Sequence, residues 1–188
     1  QRDKDPSESY TQFFRRKQIR GVLLRSFAHT RHVCEAIADE GFPAVVIADR
    51  FDNPAVNFVC CESRQDSRRA VEHLVGMGHR RIAIAMHEVP DTDHSDRLAG
   101  YEDALREADL PVDPAMRVQM IANPEGGANA VTRLLSLRDP PTALFLTDPL
   151  ATLGALRRCQ ELGVKVPTEF SIIGFDDEAD ALKIANDT

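Results

Sequence analysis

Five polar side chains stand where short apolar runs give way to loops or helix starts: Asp49, Arg97, Thr147, Asp148 and Asp176. Three acids and one arginine beside loop positions suit a small polyhydroxylated ligand, which carboxylates and a guanidinium hold by paired hydrogen bonds. In an open parallel sheet, ligands bind at the carboxyl ends of the strands. Each residue also has a structural reading. Asp148 followed by Pro149 is an N-cap and first-turn pair. Arg97 falls at the expected start of a helix, where a cation is disfavoured and needs an acidic partner. Asp176, with Asp177 after it, can cap whatever follows.

Other chemistries lack their residues. There is no GxxxxGK[ST] phosphate loop, and Gly76-Met77-Gly78 lies at a helix end instead of between a strand and a helix. No GxSxG elbow is present. His29, His32 and Cys34, or His87 with His94, do not show paired-ligand spacing. We therefore expect no catalytic residue, no metal and no cofactor.

A net charge of −7 argues against this stretch gripping a phosphate backbone. Arg15-Arg16-Lys17 and the looser Arg64, Arg68, Arg69 group read as solvated helix faces. No apolar run approaches the roughly 20 residues of a membrane helix, and the charged opening is not a signal peptide. The four cysteines (Cys34, Cys60, Cys61, Cys159) show no framework spacing, and the adjacent pair would point to opposite faces of a strand. Reduced thiols in a cytosolic protein are the expectation.

The elements that must position the polar groups alternate. Strands are expected over Arg20 to Arg25, Ala44 to Asp49, Asn57 to Cys61, Arg81 to Met86, Arg117 to Ile121, Thr142 to Leu146 and Phe170 to Phe175. Helical stripes fall over Ser7 to Gln18, Thr30 to Glu40, Arg64 to Met77, Asp96 to Ala108, from Gly126 through Leu135, and from Pro149 to Leu162. Glu88 to Ser95 reads as a polar loop. Gly41 and Gly163 stand where helices end. About seven strands alternating with six helices predict a parallel α/β fold with right-handed crossovers.

Several segments then become recognisable. Phe42-Pro43-Ala44-Val45-Val46-Ile47-Ala48-Asp49-Arg50 resembles the "iPvVliDR" strand of the LacI/GalR family of transcriptional regulators. Ala70 through Ala83 (AVEHLVGMGHRRIA) is similar to that family's "AveHLielGHrrIa" signature, and Arg97-Leu98-Ala99-Gly100-Tyr101 to "RlaGy". Pro141 through Ala155 resembles "PTAifaaNDlmAlGA". Val166-Pro167 with Ser171 through Asp177 resembles "vPedvSvvGfDD".

The resemblance implies a type I periplasmic-binding-protein-like fold of two parallel-sheet α/β subdomains, residues 1–62 (partial) and 63–188, closing on a small effector, most simply a sugar or related metabolite. It implies a homodimer and a cytoplasmic location. It also implies operator DNA bound only through a helix-turn-helix outside this chain, with the opening strand and the last crossover strands of the core likewise outside it. By position, Arg97 and Asp176 match effector contacts, Asp49 the strand-end acid facing the cleft, and Cys61 a site near the first crossover between subdomains; with Thr147 and Asp148 these are the effector-binding residues the resemblance implies. Thr147 stands where the family usually has Asn, and Cys61-Glu62 where it has Asp-Asn. A periplasmic sugar-binding protein of a transporter shares the fold and is the alternative.

Overall fold

The computed structural model describes residues 3–88 and 92–176. Among these lie the seven strands and six α-helices the sequence predicts, alternating except that β3 follows β2 without a helix: α1 (Tyr10–Arg16), β1 (Val22–Arg25), α2 (Arg31–Asp39), β2 (Ala44–Ile47), β3 (Asn57–Val59), α3 (Ser63–Gly76), β4 (Ile82–His87), α4 (Thr92–Glu107), β5 (Arg117–Met120), α5 (Pro124–Leu135), β6 (Ala143–Leu146), α6 (Pro149–Leu162) and β7 (Ser171–Gly174). They form two compact units. One holds residues 3–61 with 92–93, the other residues 62–88 with 94–176. Asp177, paired with Asp176 in the sequence reading, lies outside the described residues.

The second unit is a four-stranded parallel sheet in the order β5-β4-β6-β7. Side chains alternate across a strand, and here both faces are apolar because both are covered. Ala83, Ala85, Leu144 and Leu146 face α5 and α6 through Val131, Leu134, Ala151 and Ala155. Their neighbours Ile82, Ile84, Ala143 and Phe145 face α3 and α4 through Val71, Leu74, Tyr101 and Leu105. Each large side chain buried this way contributes about 1.5–3 kcal/mol relative to exposure. Tyr101 is buried by the same packing, and its hydroxyl donates to the Ile82 carbonyl at 2.8 Å. Burial pushes its phenol well above the ordinary range.

Two close approaches set the helix layers. A Cβ on Gly100 would meet the Arg64 carbonyl oxygen at 2.1 Å, so α4 crosses α3 with backbone nearly touching. On the other face, a Cβ on Gly127 would lie 1.8 Å from the Ala151 oxygen, and one on Gly154 1.8 Å from the Pro124 oxygen. The glycine of the RlaGy segment is thus a packing residue. So is His79 of the GHrr segment, whose ring joins the Thr142 and Ser171 hydroxyls at 2.8 and 2.9 Å. That clasp lies at the amino ends of β6 and β7, away from the strand ends where a ligand would sit.

The first unit has three parallel strands, β1-β2-β3. Phe14, Ile37 and Phe42 pack with Val22, Leu24 and Ala44 on one face, and Cys34, Val46, Phe51 and Val56 continue that core. The capping box at Ser9, with Gln12 answering it, starts α1.

Three boundaries that bear on the polar groups differ from the sequence reading. β3 stops at Val59 instead of Cys61. β2 leaves the ladder after Ile47, where Ala48 takes a left-handed φ of 61°. The Ala48 amide bonds to the Val59 carbonyl, and no further strand residue stands opposite Cys60 and Cys61. The cysteine pair therefore lies outside the sheet and is not fixed to opposite faces. α4 starts at Thr92, so the expected polar loop is shorter and Thr92 through Ser95 are helical. Asp93 in the first turn suits the positive end of the helix dipole.

Candidate functional site

The carboxyl ends of β4, β6 and β7 bring Arg97, Thr147, Asp148 and Asp176 together in the second unit. Thr147 follows β6 directly, and its amide continues the ladder to the Ala85 carbonyl at 3.1 Å. The residue is completely buried, yet among the described residues its hydroxyl has no hydrogen-bond partner. Asp148 begins α6 as an N-cap: its carboxylate accepts from the Ala151 amide at 2.9 Å, with Pro149 in the first turn. This is the structural role the Asp-Pro pair predicts.

Arg97 is not a solvated first-turn residue. It sits in the second turn of α4 and is only 9% exposed. Its guanidinium lies over the Phe175 ring, 3.9 Å from the centroid, and Nη1 donates to the Thr147 carbonyl at 2.5 Å. Nε has no partner among the described residues, and Nη2 is 4.0 Å from the Asp176 carboxylate, too far for a hydrogen bond. Asp176 holds a left-handed φ of 66° and leaves its carboxylate largely exposed.

A buried cation ordinarily gathers a full set of acceptors. Here the guanidinium bonds to the Thr147 backbone and faces an open carboxylate, and among the described residues its Nε finds no acceptor. A hydroxyl group can accept from Arg97 and donate to Asp176 at once, filling the gap between them.

Asp49 has different surroundings. It lies two residues beyond β2 in the first unit, where its carboxylate accepts from Ser26, Arg31, Thr92 and the Arg50 amide. Burial pushes this carboxyl up, but the hydrogen bonds from Ser26, Thr92, the Arg50 amide and Arg31 outweigh it and hold it below the usual carboxylate range. It is thus the centre of a satisfied network, beside the strained backbone of Ala48. The Cys61 thiol is exposed, and its carbonyl accepts from Arg50 Nη2 at 2.9 Å.

Phe175, Ser26, Arg31 and Thr92 escaped the sequence reading. The aromatic residue beside Asp176 was a usable signal for a stacked arginine. Nothing local marked the residues that gather around Asp49.

The periplasmic-binding-protein-like domain family matches residues 71–186, more than half of the chain. The chain belongs to that family, in its LacI-type branch. It is 29% identical over 177 residues to the HTH-type transcriptional repressor PurR of Haemophilus influenzae (strain PittEE), covering 94% of this chain and 53% of that protein. It spans about half the length of the curated relatives it matches. Among solved structures it is similar to a LacI regulator from Bacillus cereus subsp. cytotoxis, with 26% identity, a TM-score of 0.80, and 94% and 68% of the two chains covered. It is similar too to a sugar-binding LacI-family transcriptional regulator from Escherichia coli, complexed with phosphate (28% identity, TM-score 0.80, 90% and 61% covered). Among the described residues no helix is long and apolar enough to cross a membrane.

Proposed function

We propose that this LacI-type domain is the effector-sensing core of a bacterial transcriptional regulator, and that its effector is a sugar or closely related hydroxylated metabolite. The observation that carries the reading is Arg97: a buried guanidinium stacked on Phe175 and bonded to the Thr147 carbonyl, with one nitrogen unpartnered among the described residues and the Asp176 carboxylate open beside it. Arg97, Asp176 and Thr147 are the effector contacts, and Asp148 supports them by fixing the start of α6. Asp49 and Cys61 belong to the first unit's own strand-end structure, Asp49 as the acceptor that orders Arg31, Ser26 and Thr92.

The protein works in the cytoplasm as a homodimer, with operator DNA gripped by a helix-turn-helix domain. The acidic charge of this stretch fits that division, since the core need not touch phosphate itself. Effector binding changes operator affinity by the difference in effector affinity between the DNA-competent and DNA-incompetent states, and the operator changes effector affinity by the same factor.

A thermal-shift screen of sugars, sugar phosphates and purines tests the ligand class. A shift with a sugar or sugar phosphate is expected. A screen in which only purines stabilise the protein would replace the sugar assignment, and one with no response at all would remove the effector-sensing role.

A further inference from the structure

The four cysteines divide sharply. Cys34 and Cys159 are buried, and burial pushes both thiols up, Cys159 to about 11. Cys60 is half-buried and Cys61 exposed. These two are adjacent, lie beyond the end of β3, and are not held in the sheet. One side chain reads both: Arg50 donates from Nε to Cys60 Sγ at 3.1 Å and from Nη2 to the Cys61 carbonyl at 2.9 Å. A guanidinium N–H aimed at sulfur stabilises the negative charge of an attacking thiolate. Next to it stands an accessible second thiol, the arrangement of an oxidisable cysteine with a resolving partner.

We infer that Cys60 and Cys61 form a reversible oxidation site, closing to a vicinal disulfide when the protein meets hydrogen peroxide. The Cys60 thiolate attacks one peroxide oxygen; the O–O bond breaks, and the departing hydroxide takes a proton to leave as water. The resulting sulfenic acid is attacked by the Cys61 sulfur, the S–S bond forms, the S–O bond breaks, and the second oxygen leaves as water with the Cys61 proton. Two thiols thus give up two electrons and two protons to one peroxide.

The product is labile. Cα atoms across a trans peptide are about 3.8 Å apart, whereas disulfides usually span about 4.4–6.8 Å. The strained ring is readily reduced, which suits a mark that is written and erased. Its position gives it leverage. The long first segment of the first unit ends at Cys61, and α3 of the second begins at Ser63. Ring closure fixes the backbone torsions of residues 60–61.

The test treats the full-length native protein with hydrogen peroxide, alkylates remaining thiols and digests with trypsin. Residues 51–64 carry both cysteines and no other. That peptide should become lighter by two hydrogens and resist alkylation, and dithiothreitol should restore it. In Arg50→Met the corresponding tryptic peptide spans residues 32–64 and adds the buried Cys34, and loss of the Cys60 and Cys61 thiols should slow by about tenfold, the worth of one charge-assisted hydrogen bond. Cys61→Ser, a conservative change at an exposed position, should halt at a Cys60 sulfenic acid that dimedone captures. Full alkylation of both cysteines after peroxide, irreversible sulfinic acid, or a disulfide between two chains would each overturn the inference. So would a Cys61→Ser protein in which dimedone labels nothing.

Discussion

Thr147→Val separates the demands of folding from those of binding at one atom. Valine keeps the shape of threonine and replaces the hydroxyl with a methyl. In this protein the hydroxyl is fully buried and, among the described residues, without a partner. Burying an unpaired hydroxyl costs about 1–3 kcal/mol in protein mutational series, and the added methyl gains up to about 0.8 kcal/mol on leaving water. The backbone contacts are unaffected, because the Thr147 amide and carbonyl, not its side chain, bond to Ala85 and Arg97. The ligand-free protein should therefore gain about 1–2 kcal/mol. With urea m-values of about 1–3 kcal/mol/M, the midpoint followed by far-UV circular dichroism should rise by roughly 0.3–2 M. The same variant should respond less to effector, since it has lost a group the ligand would satisfy. A midpoint that falls by a similar amount would show that the hydroxyl is satisfied in the folded protein, and the reasoning that makes Thr147 a ligand contact would fail with it.

The remaining expectations are simpler. Gly154→Ala places a methyl against the Pro124 backbone, so α5 and α6 must separate; overpacking of this kind costs about 1–3 kcal/mol, and the melting temperature should drop by several degrees. Gly76→Ala, at a helical position with open space around it, should leave the melting temperature unchanged or raise it, and equal effects at the two sites would contradict the close-crossing account. Asp49 has a folded pKa below its unfolded value of about 3.9, so its stabilisation is complete above that value and fades as pH falls through the lower folded one. Asp49→Asn should flatten the acid limb of the stability profile, and an unchanged limb would show that other carboxylates set it.

Much of this architecture was legible because it rests on local rules. The runs around Ile84 and Phe145 are apolar on both faces, as a strand covered by two helix layers requires. Asp148-Pro149 and Gly163 mark the ends of α6 by their own backbone chemistry: the acid caps the first turn, and Gly163 takes a φ of 72° at the close. The end of β3 was not legible, because it depends on where its neighbour β2 turns away, at Ala48. The start of α4 was missed because Thr92 to Ser95 are polar and carry no periodic apolar signal. At the candidate site, the sequence named Arg97, Thr147 and Asp176 but not their condition. Whether a hydroxyl or a guanidinium nitrogen lacks a partner is a property of packing across three elements, and no spacing within one segment encodes it.

The central claim is that an effector completes the hydrogen bonding of Arg97 and Asp176. Its most direct test is calorimetric titration of the full-length protein and of its Arg97→Ala and Asp176→Ala variants with the compound that gives the largest thermal shift. Losing a charge-assisted contact in a buried site costs about 2–5 kcal/mol, so each variant should bind at least about thirtyfold more weakly while keeping the parent's circular dichroism spectrum. If both variants bind that compound with the parent's affinity, the effector does not sit at the carboxyl ends of β4, β6 and β7, and the account of the site is wrong.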